Sequence, residues 1–150
     1  MNIKYYLPKD QQNLEQHGAW IDLKTNKAIF EMGDEYKAIP LGLRLKLPQG
    51  YEAIVVPRSS TFKRYKVLQV NSMGVIDTEY CGMKDEWHFP AYFADRMKIP
   101  IYTRICQFRI QLTQDATFLQ KIMWLFSRPK FKRVDLLYGN NRGGFGSSGV

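Results

Sequence analysis

The clearest pattern along the chain is a strict alternation of apolar and other residues between positions 39 and 47. Such a two-residue period is typical of a strand with one buried face. The opposite face carries Pro40 and Gly42, which favour an edge strand or a bulge over a central strand. The apolar positions of this run are Ile39, Leu41, Leu43, Leu45 and Leu47.

Three further runs, 51–56, 67–70 and 101–112, are rich in the residues that strands prefer. Short strands separated by Gly, Pro and Asn indicate a sandwich or a barrel rather than an α/β fold. In the longest run one face is predicted to consist of Cys106, Phe108, Ile110 and Leu112. The predicted fold class is therefore all-β.

One segment follows a helical period instead. Ala116, Leu119, Ile122, Met123 and Phe126 recur at spacings of three and four, which predicts a short amphipathic helix over 115–127. Its predicted N-cap is the first residue of that range, an aspartate.

Length and composition restrict the class of protein. The chain has 150 residues, of which 45% are hydrophobic and 24% charged, so it is expected to fold as one domain with a real core. Cys81 and Cys106 are its two cysteines, too few for a disulfide scaffold. No apolar run reaches the roughly 18–20 residues of a membrane span, and residues 1–10 lack a signal-peptide core. A soluble, cytoplasmic protein is the expectation.

The net charge of +8 points to a polyanionic partner, which could be nucleic acid, an acidic membrane surface or a phosphate-rich small ligand. Basic residues concentrate in 58–66 and 121–133. Neither stretch has the dense run expected of a nucleic-acid arm, so stable binding to nucleic acid or to a membrane is not predicted.

Residues 57–60, Pro-Arg-Ser-Ser, directly follow a predicted strand. Arg58 offers a fork of donors and Ser59 a hydroxyl to phosphate oxygens. A plain strand-ending turn explains the same four residues.

Residues 71–82 contain two β-type fragments around a Ser-Met-Gly turn, which predicts a hairpin. Asp77 follows apolar Val75 and Ile76 and could hold a water as general base, while Tyr80 offers a flat apolar face with a polar tip. A capped hairpin with a core tyrosine is the structural alternative.

Two more segments carry polar groups of interest. Arg104 and Gln107 interrupt an apolar run, and a glutamine amide can donate to phosphate, although both could simply face solvent.

Residues 142–149, Arg-Gly-Gly-Phe-Gly-Ser-Ser-Gly, combine anion-binding backbone, hydroxyls and one stacking ring, yet lack the lysine and following helix of a P-loop. A Gly/Ser-rich mobile tail is the alternative here. His17 and His88 have no metal-ligand spacing with the cysteines.

Taken in order, these segments resemble the homotrimeric deoxyuridine triphosphatase (dUTPase) family. The motifs are 18–23 (Gly-Ala-Trp-Ile-Asp-Leu), 57–60, 71–82, 104–107 and 142–149. The segments 80–87 and 89–92 look like the subgroup of Gram-positive bacteria and their phages. The resemblance implies a jelly-roll-like, distorted β-barrel over 1–138 and a C-terminal arm, 139–150, that closes the active site.

The resemblance also implies hydrolysis of dUTP to dUMP and pyrophosphate, with Mg²⁺ held by the substrate phosphates and waters rather than by side chains. Asp77 would activate the attacking water and Asp22 would support the edge of the site. The implied substrate-binding positions are Arg58, Ser59, Asn71, Gly74, Ile76, Tyr80, Gln107, Arg142, Phe145, Ser147 and Ser148. Only two glycines separate Arg142 from Phe145, fewer than in many members of the family.

A homotrimer with active sites shared among subunits is implied as well. The nearest alternative enzyme is the related dCTP deaminase, although Tyr80 and the phenylalanine of the arm favour dUTPase. Some phage members also bind regulatory proteins, and segment 115–133, longer than usual, is a candidate for such a contact.

Overall fold

The computed structural model describes residues 1–144, which form mostly strands and two short helices. The strands are β1 (Asn2–Tyr6), β2 (Glu15–His17), β3 (Trp20–Lys24), β4 (Ile29–Glu31), β5 (Glu35–Pro40), β6 (Arg44–Lys46), β7 (Tyr51–Pro57), β8 (Val67–Gln69), β9 (Gly74–Ile76), β10 (His88–Phe93), β11 (Met97–Ile99), β12 (Arg104–Leu112) and β13 (Lys130–Arg133). The helices are α1 (Thr61–Tyr65) and α2 (Phe118–Phe126). The predicted all-β class is confirmed.

The strands form four sheets. The largest has the order β2-β3-β12-β7-β9, two sheets have the orders β13-β1-β6 and β5-β10-β8, and a ribbon pairs β11 with β4. Neighbouring strands are antiparallel except β1 and β13, which are parallel. These sheets do not close into one continuous barrel, so the architecture is a distorted form of the jelly-roll-like barrel that the sequence predicted.

Strand β12 lies at the centre of the largest sheet, between β3 and β7. Its residues Cys106, Phe108 and Ile110 are buried, as the alternation predicted. Burial raises the pKa of the Cys106 thiol, which fits a small core residue rather than a nucleophile. A register shift between Arg104 and Cys106 marks a bulge against β3.

The alternating run at 39–47 is not one strand. All five of its apolar residues are buried, but β5 and β6 belong to different sheets. Gly42 between them has φ +74°, a left-handed conformation that ends strand pairing and that glycine adopts without strain. A period of two therefore identified the buried face correctly and missed the change of sheet.

The core joins the sheets through aromatic packing. Trp87 and Phe131 both pack edge-on against Phe108, with ring centroids 5.2 Å and 5.9 Å away. This T-shaped arrangement is favourable for aromatic rings. Phe131 lies on β13 and Phe108 on β12, so the contact fixes the three-stranded sheet on the five-stranded one.

Helix α2 lies within the predicted range, but its N-cap is Thr117 rather than Asp115. The Thr117 hydroxyl accepts the backbone N–H of Gln120, and the Gln120 side chain accepts the backbone N–H of Thr117. This capping box satisfies two donors at once, which Asp115 is too far upstream to do. Within residues 1–144, neither helix has the length and apolar character needed to cross a membrane.

The prediction of a hairpin around residues 71–74 is wrong, because the two strands beside this turn do not pair with each other. β8 pairs with β10, whereas β9 pairs with β7. The Ser-Met-Gly turn therefore carries the chain from one sheet to another, with Ser72 at φ +58°. That crossing opens a gap between the sheets beside the turn.

Candidate active site

A cavity of about 220 Å³ lies beside the turn between β8 and β9. Three segments meet there: the turn and the residues after it, the start of β10, and the last described residues of the chain. The cavity is lined by Val55, Gln69, Asn71, Gly74, Val75, Ile76, Asp77, Tyr80, Trp87, His88, Pro90, Arg142, Gly143 and Gly144. Five of the predicted site residues that precede the arm, Asn71, Gly74, Ile76, Asp77 and Tyr80, are thus brought together.

Asp77 follows directly after β9 and is fixed by its own turn. Its Oδ1 accepts the backbone N–H of Glu79 at 3.0 Å and that of Tyr80 at 3.2 Å. Its Oδ2 accepts a hydrogen bond from the guanidinium of Arg142, which also lies 3.6 Å from Glu79. The carboxylate is therefore oriented by local backbone on one oxygen and by a cation on the other.

Opposing effects act on the pKa of Asp77. Burial favours the neutral acid and raises the pKa, but the hydrogen bond from Arg142 and those from the Glu79 and Tyr80 amides favour the carboxylate. The net result is a pKa below the usual aspartate value. Asp77 is therefore ionised at neutral pH and able to accept a proton.

Tyr80 closes one side of the cavity. Its hydroxyl donates to the carbonyl of Glu86 at 2.8 Å, and a Cβ added at Gly144 would lie 3.1 Å from that hydroxyl. Burial raises the pKa of Tyr80, so its ring is a neutral, fixed wall of the cavity.

The turn on the other side is braced by Gln69. Its Nε2 donates to the Val55 carbonyl at 3.2 Å and to Asn71 Oδ1 at 2.9 Å. A Cβ at Gly74 would stand 3.3 Å from the Val55 side chain, a tight fit between β7 and β9. Asn71 and Gly74 are thereby held against β7.

A second cluster of predicted residues is built around Asp22. This carboxylate is only 6% exposed. Its Oδ1 lies 3.0 Å from Arg58 Nε and its Oδ2 lies 3.4 Å from Arg104, with His17 3.9 Å away. Two arginines thus converge on one buried acid, which orients their remaining donors outward.

Gln107 and Ser59 belong to the same region. Gln107 is paired in register with Asp22 on β3 and with Val56 on β7, and it is half-buried. Ser59 is exposed in the turn before α1. Thr61 of α1 fixes that turn, because its hydroxyl oxygen accepts the Arg58 backbone N–H at 3.1 Å. Sequence reasoning missed α1, whose apolar residues are too few to show a helical period.

The two clusters are far apart within one chain. Ala53 pairs with Ile76, so Asp77 lies level with Glu52, whereas Arg58 follows the opposite end of β7. Six residues at about 3.3 Å each separate these levels by roughly 20 Å. Asp77 and Arg58 of one chain therefore cannot contact the same phosphate group.

The C-terminal segment reaches the cavity as far as Gly144, with Arg142 bound at Asp77. Phe145, Ser147 and Ser148 lie outside the described residues, as does half of the predicted arm, 139–150. Sequence reasoning missed Asp85, which accepts the backbone N–H groups of Gly82, Arg142 and Gly143. It stands in a polar Lys-Asp-Glu run that reads as an ordinary exposed loop, so no local signal distinguishes it.

Carboxylate and imidazole groups do not assemble into a metal site here. Among the described residues, no group of three or more His, Cys, Asp or Glu side chains could hold a metal ion.

Known proteins match the chain in both sequence and structure. A family model described as dUTPase matches residues 13–122. The SPbeta prophage-derived deoxyuridine 5'-triphosphate nucleotidohydrolase YosS of Bacillus subtilis (strain 168) is 45% identical, over 100% of this chain and 99% of that protein. The chain belongs to the dUTPase family. It is thus a hydrolase of nucleotide metabolism, as the motifs predicted.

Solved dUTPases share the fold at low sequence identity. The Streptococcus mutans dUTPase superposes with a TM-score of 0.67 at 18% identity, covering 76% of this chain and 98% of that one. A mutant dUTPase from phage phi11 of S. aureus, described with a structural Mg(II) ion, gives 0.66 at 14% identity, covering 77% and 94%. These likenesses support the fold of the dUTPase family for this chain.

Proposed function

We propose that this protein hydrolyses dUTP to dUMP and pyrophosphate by attack of a water at the α-phosphorus. The observation that supports this reaction most strongly is the placement of Asp77. An oriented, ionised carboxylate stands at the rim of a cavity of about 220 Å³, below the roughly 300–1,000 Å³ of sites that enclose whole ligands. We infer that the cavity holds the nucleoside and that the triphosphate extends past Asp77.

Asp77 serves as the general base in this proposal. It takes a proton from water while the water oxygen forms a bond to the α-phosphorus, and the bond to pyrophosphate breaks. General-base catalysis contributes about 10²–10⁴ in rate. The remainder must come from donors that stabilise charge on the phosphate oxygens, and Arg142 is one such donor once substrate draws it away from Asp77.

Base recognition is assigned to the turn. The backbone groups at Asn71, Gly74 and Ile76 read the edge of uracil, and a wrong base leaves them unpaired, at a cost of about 10⁴–10⁵ in rate. Thymine is excluded sterically in this proposal, because its extra methyl group would need room beside the turn at residues 71–74. Tyr80 packs on the deoxyribose and leaves no room for a 2′-hydroxyl.

The residues fit a substrate-borne metal. Mg²⁺ would neutralise phosphate charge when bound, held by the phosphates and waters without dedicated side-chain ligands. Arg58, Ser59 and Gln107 would then bind the outer phosphate oxygens, and Asp22 would keep Arg58 oriented toward them.

We also propose a homotrimer with shared active sites, and the separation of roughly 20 Å along β7 supports the sharing of each site. The Arg58 cluster of one chain would serve the Asp77 cavity of another. Exposed apolar side chains on and between strands β4 and β5, among them Phe30, Met32 and Tyr36, supply surface that association would bury.

Domain bounds, cellular location and a protein partner are proposed as well. A jelly-roll domain over 1–138 with an arm over 139–150, and a cytoplasmic location, are proposed. Helix α2 favours an additional regulatory protein partner, because Phe118, Leu125 and Phe126 are 79%, 78% and 86% exposed. The alternative reaction, deamination of dCTP, would release ammonia and no pyrophosphate.

Hydrolysis in ¹⁸O-labelled water tests the proposed reaction. Attack at the α-phosphorus places the label in dUMP and leaves pyrophosphate unlabelled. Label in pyrophosphate would contradict the proposed site of attack, and ammonia release from dCTP would contradict the proposed enzyme class. Omission of Mg²⁺ should lower the rate at saturating dUTP, since unshielded phosphate charge opposes the attacking water.

A further inference from the structure

Gln69 fixes the turn between β8 and β9 through its side-chain amide. It is the last residue of β8, and its Nε2 donates to the Val55 carbonyl on β7 at 3.2 Å and to Asn71 Oδ1 at 2.9 Å. Strands β7 and β8 belong to different sheets. One amide group therefore ties the turn to both sheets at the point where the chain crosses between them.

The orientation of this amide follows from its neighbours. Both atoms that it faces are acceptors, a backbone carbonyl and an amide oxygen, so only the NH₂ group can point toward them. Gln69 Oε1 is buried and has no hydrogen-bond partner among the described residues. A buried unpaired oxygen destabilises the fold, whereas methionine would fill a similar volume without an amide oxygen. The two bonds from Nε2 are the contribution that methionine could not make.

The same amide lies beside the first residue of β9. Gly74 pairs in register with Val55, and a Cβ added at Gly74 would lie 3.3 Å from the Val55 Cβ and 3.7 Å from Gln69 Nε2. Between these anchors Ser72 has φ +58°, a left-handed conformation that residues other than glycine keep only where their surroundings hold it. The turn is thus held at both ends, by Asn71 bonded to Gln69 and by Gly74 packed against Val55.

This turn is one wall of the cavity. Gln69, Asn71 and Gly74 all line it, in the part assigned above to the base, while Tyr80 lines the part assigned to the sugar. A thymine methyl group would enter only if the wall at the turn moved outward. The bonds from Gln69 to Val55 and Asn71 oppose that movement.

We propose that Gln69 is a positioning residue that sets the discrimination against thymine by holding this wall in place. Because the turn is assigned to the base only by the proposed function, this role rests on that function. Two selectivities are thereby separated. Rejection of the thymine methyl depends on Gln69, and rejection of the 2′-hydroxyl depends on the ring of Tyr80.

Gln69→Met tests this role by removing the amide at nearly constant side-chain length. Pyrophosphate release is measured for dUTP, dTTP and UTP with Mg²⁺. One added methyl group changes rates by about 10–200-fold in a closely packed pocket, so kcat/KM for dTTP relative to dUTP should rise by about tenfold or more. The ratio for UTP relative to dUTP should stay within about twofold of wild type, because Tyr80 is unchanged.

Gln11→Met is the matched control. Gln11 Nε2 also donates to a backbone carbonyl, that of Leu41 at 3.2 Å, and its Oε1 is likewise buried without a partner in the described part of the chain. Gln11 is not among the described residues that line the cavity. The control should leave the dTTP ratio at the wild-type value, whatever its effect on melting temperature. A similar rise in both variants would show that general loosening of the fold admits thymine, and would contradict the role of Gln69.

The failure of this role and the failure of the proposed function give different results. If wild type hydrolyses dUTP and Gln69→Met leaves the dTTP ratio unchanged, the role of Gln69 is wrong. If wild type releases no pyrophosphate from dUTP, the proposed function is wrong. Calorimetric binding of dUMP and dTMP then decides about Gln69 without turnover, since Gln69→Met should raise the affinity for dTMP relative to dUMP and an unchanged ratio would contradict its role. Gln69→Leu, of similar volume, provides the same comparison if Gln69→Met folds poorly.

Discussion

Arg58 directs its Nε toward Oδ1 of Asp22 from 3.0 Å, while Arg104 approaches the other oxygen of the same carboxylate at 3.4 Å. One buried acid therefore orients two arginines that come from different strand ends. The acid itself faces away from solvent, so it acts on a ligand only through them.

Replacing this acid should weaken phosphate binding rather than abolish chemistry. In Asp22→Asn the two guanidinium groups lose their shared anion and repel each other. KM for dUTP should rise roughly tenfold, about 1.4 kcal/mol of binding, with a smaller change in kcat. Steady-state kinetics beside Asp135→Asn, a control at an exposed acid, measure both values. An unchanged KM would show that Arg58 is oriented by other contacts.

The ion pair between Arg142 and Asp77 predicts a shift in the pH profile. Arg142 helps to hold the pKa of Asp77 below its usual value, so the base stays ionised as pH falls. Removing the guanidinium in Arg142→Ala leaves burial less opposed and raises that pKa. The acidic limb of the kcat/KM profile, which reports groups of the free enzyme, should move to higher pH, besides the general loss of rate. Arg142→Lys, which keeps the charge, should keep the limb closer to wild type. If the acidic limb does not move, Asp77 is not the group whose ionisation sets it.

Tyr80 provides a matched pair of variants. Tyr80→Phe keeps the ring and loses only the hydrogen bond to Glu86, so preference for dUTP over UTP should remain. Tyr80→Ala opens the side of the cavity that holds the sugar, so kcat/KM for UTP should rise relative to kcat/KM for dUTP. The ratio of kcat/KM for the two nucleotides measures this directly. If Tyr80→Phe and Tyr80→Ala gave the same ratio, the ring would not be what excludes the 2′-hydroxyl.

The residues of the predicted arm beyond Gly144 can be tested separately from residues 139–144. Deleting residues 145–150 removes Phe145, Ser147 and Ser148 and leaves Asp85 with its partners. Turnover should fall, while the melting temperature should change little, because Arg142 and Gly143 keep their hydrogen bonds to Asp85. Unchanged kinetics in the truncated protein would show that these residues are a plain tail.

Local patterns predicted the strands well and their partners poorly. The alternation around Leu43 identified a buried face, since burial repeats every second residue whichever sheet a strand joins. It did not show that Gly42 divides the run between two sheets. For the same reason the turn at residues 71–74 was taken for a hairpin, although pairing depends on contacts distant in sequence.

The candidate site shows the same limit. The sequence motifs pointed to Asp77, Tyr80 and Arg58 through their side-chain chemistry, and the resemblance to the dUTPase family added Asp22. They did not show that these residues form two clusters roughly 20 Å apart. Asp85 was missed altogether, because its importance lies in backbone donors that only the folded chain brings to it.

The central claim is that this chain hydrolyses dUTP selectively with Asp77 as the base. The most direct measurement is pyrophosphate release from dUTP, dTTP, dCTP and UTP with Mg²⁺, for wild type and Asp77→Asn side by side. Wild type should turn over dUTP far faster than the other three, and Asp77→Asn should lose at least about 10²-fold on dUTP. Similar rates on all four nucleotides, or an undiminished rate in Asp77→Asn, would contradict the account.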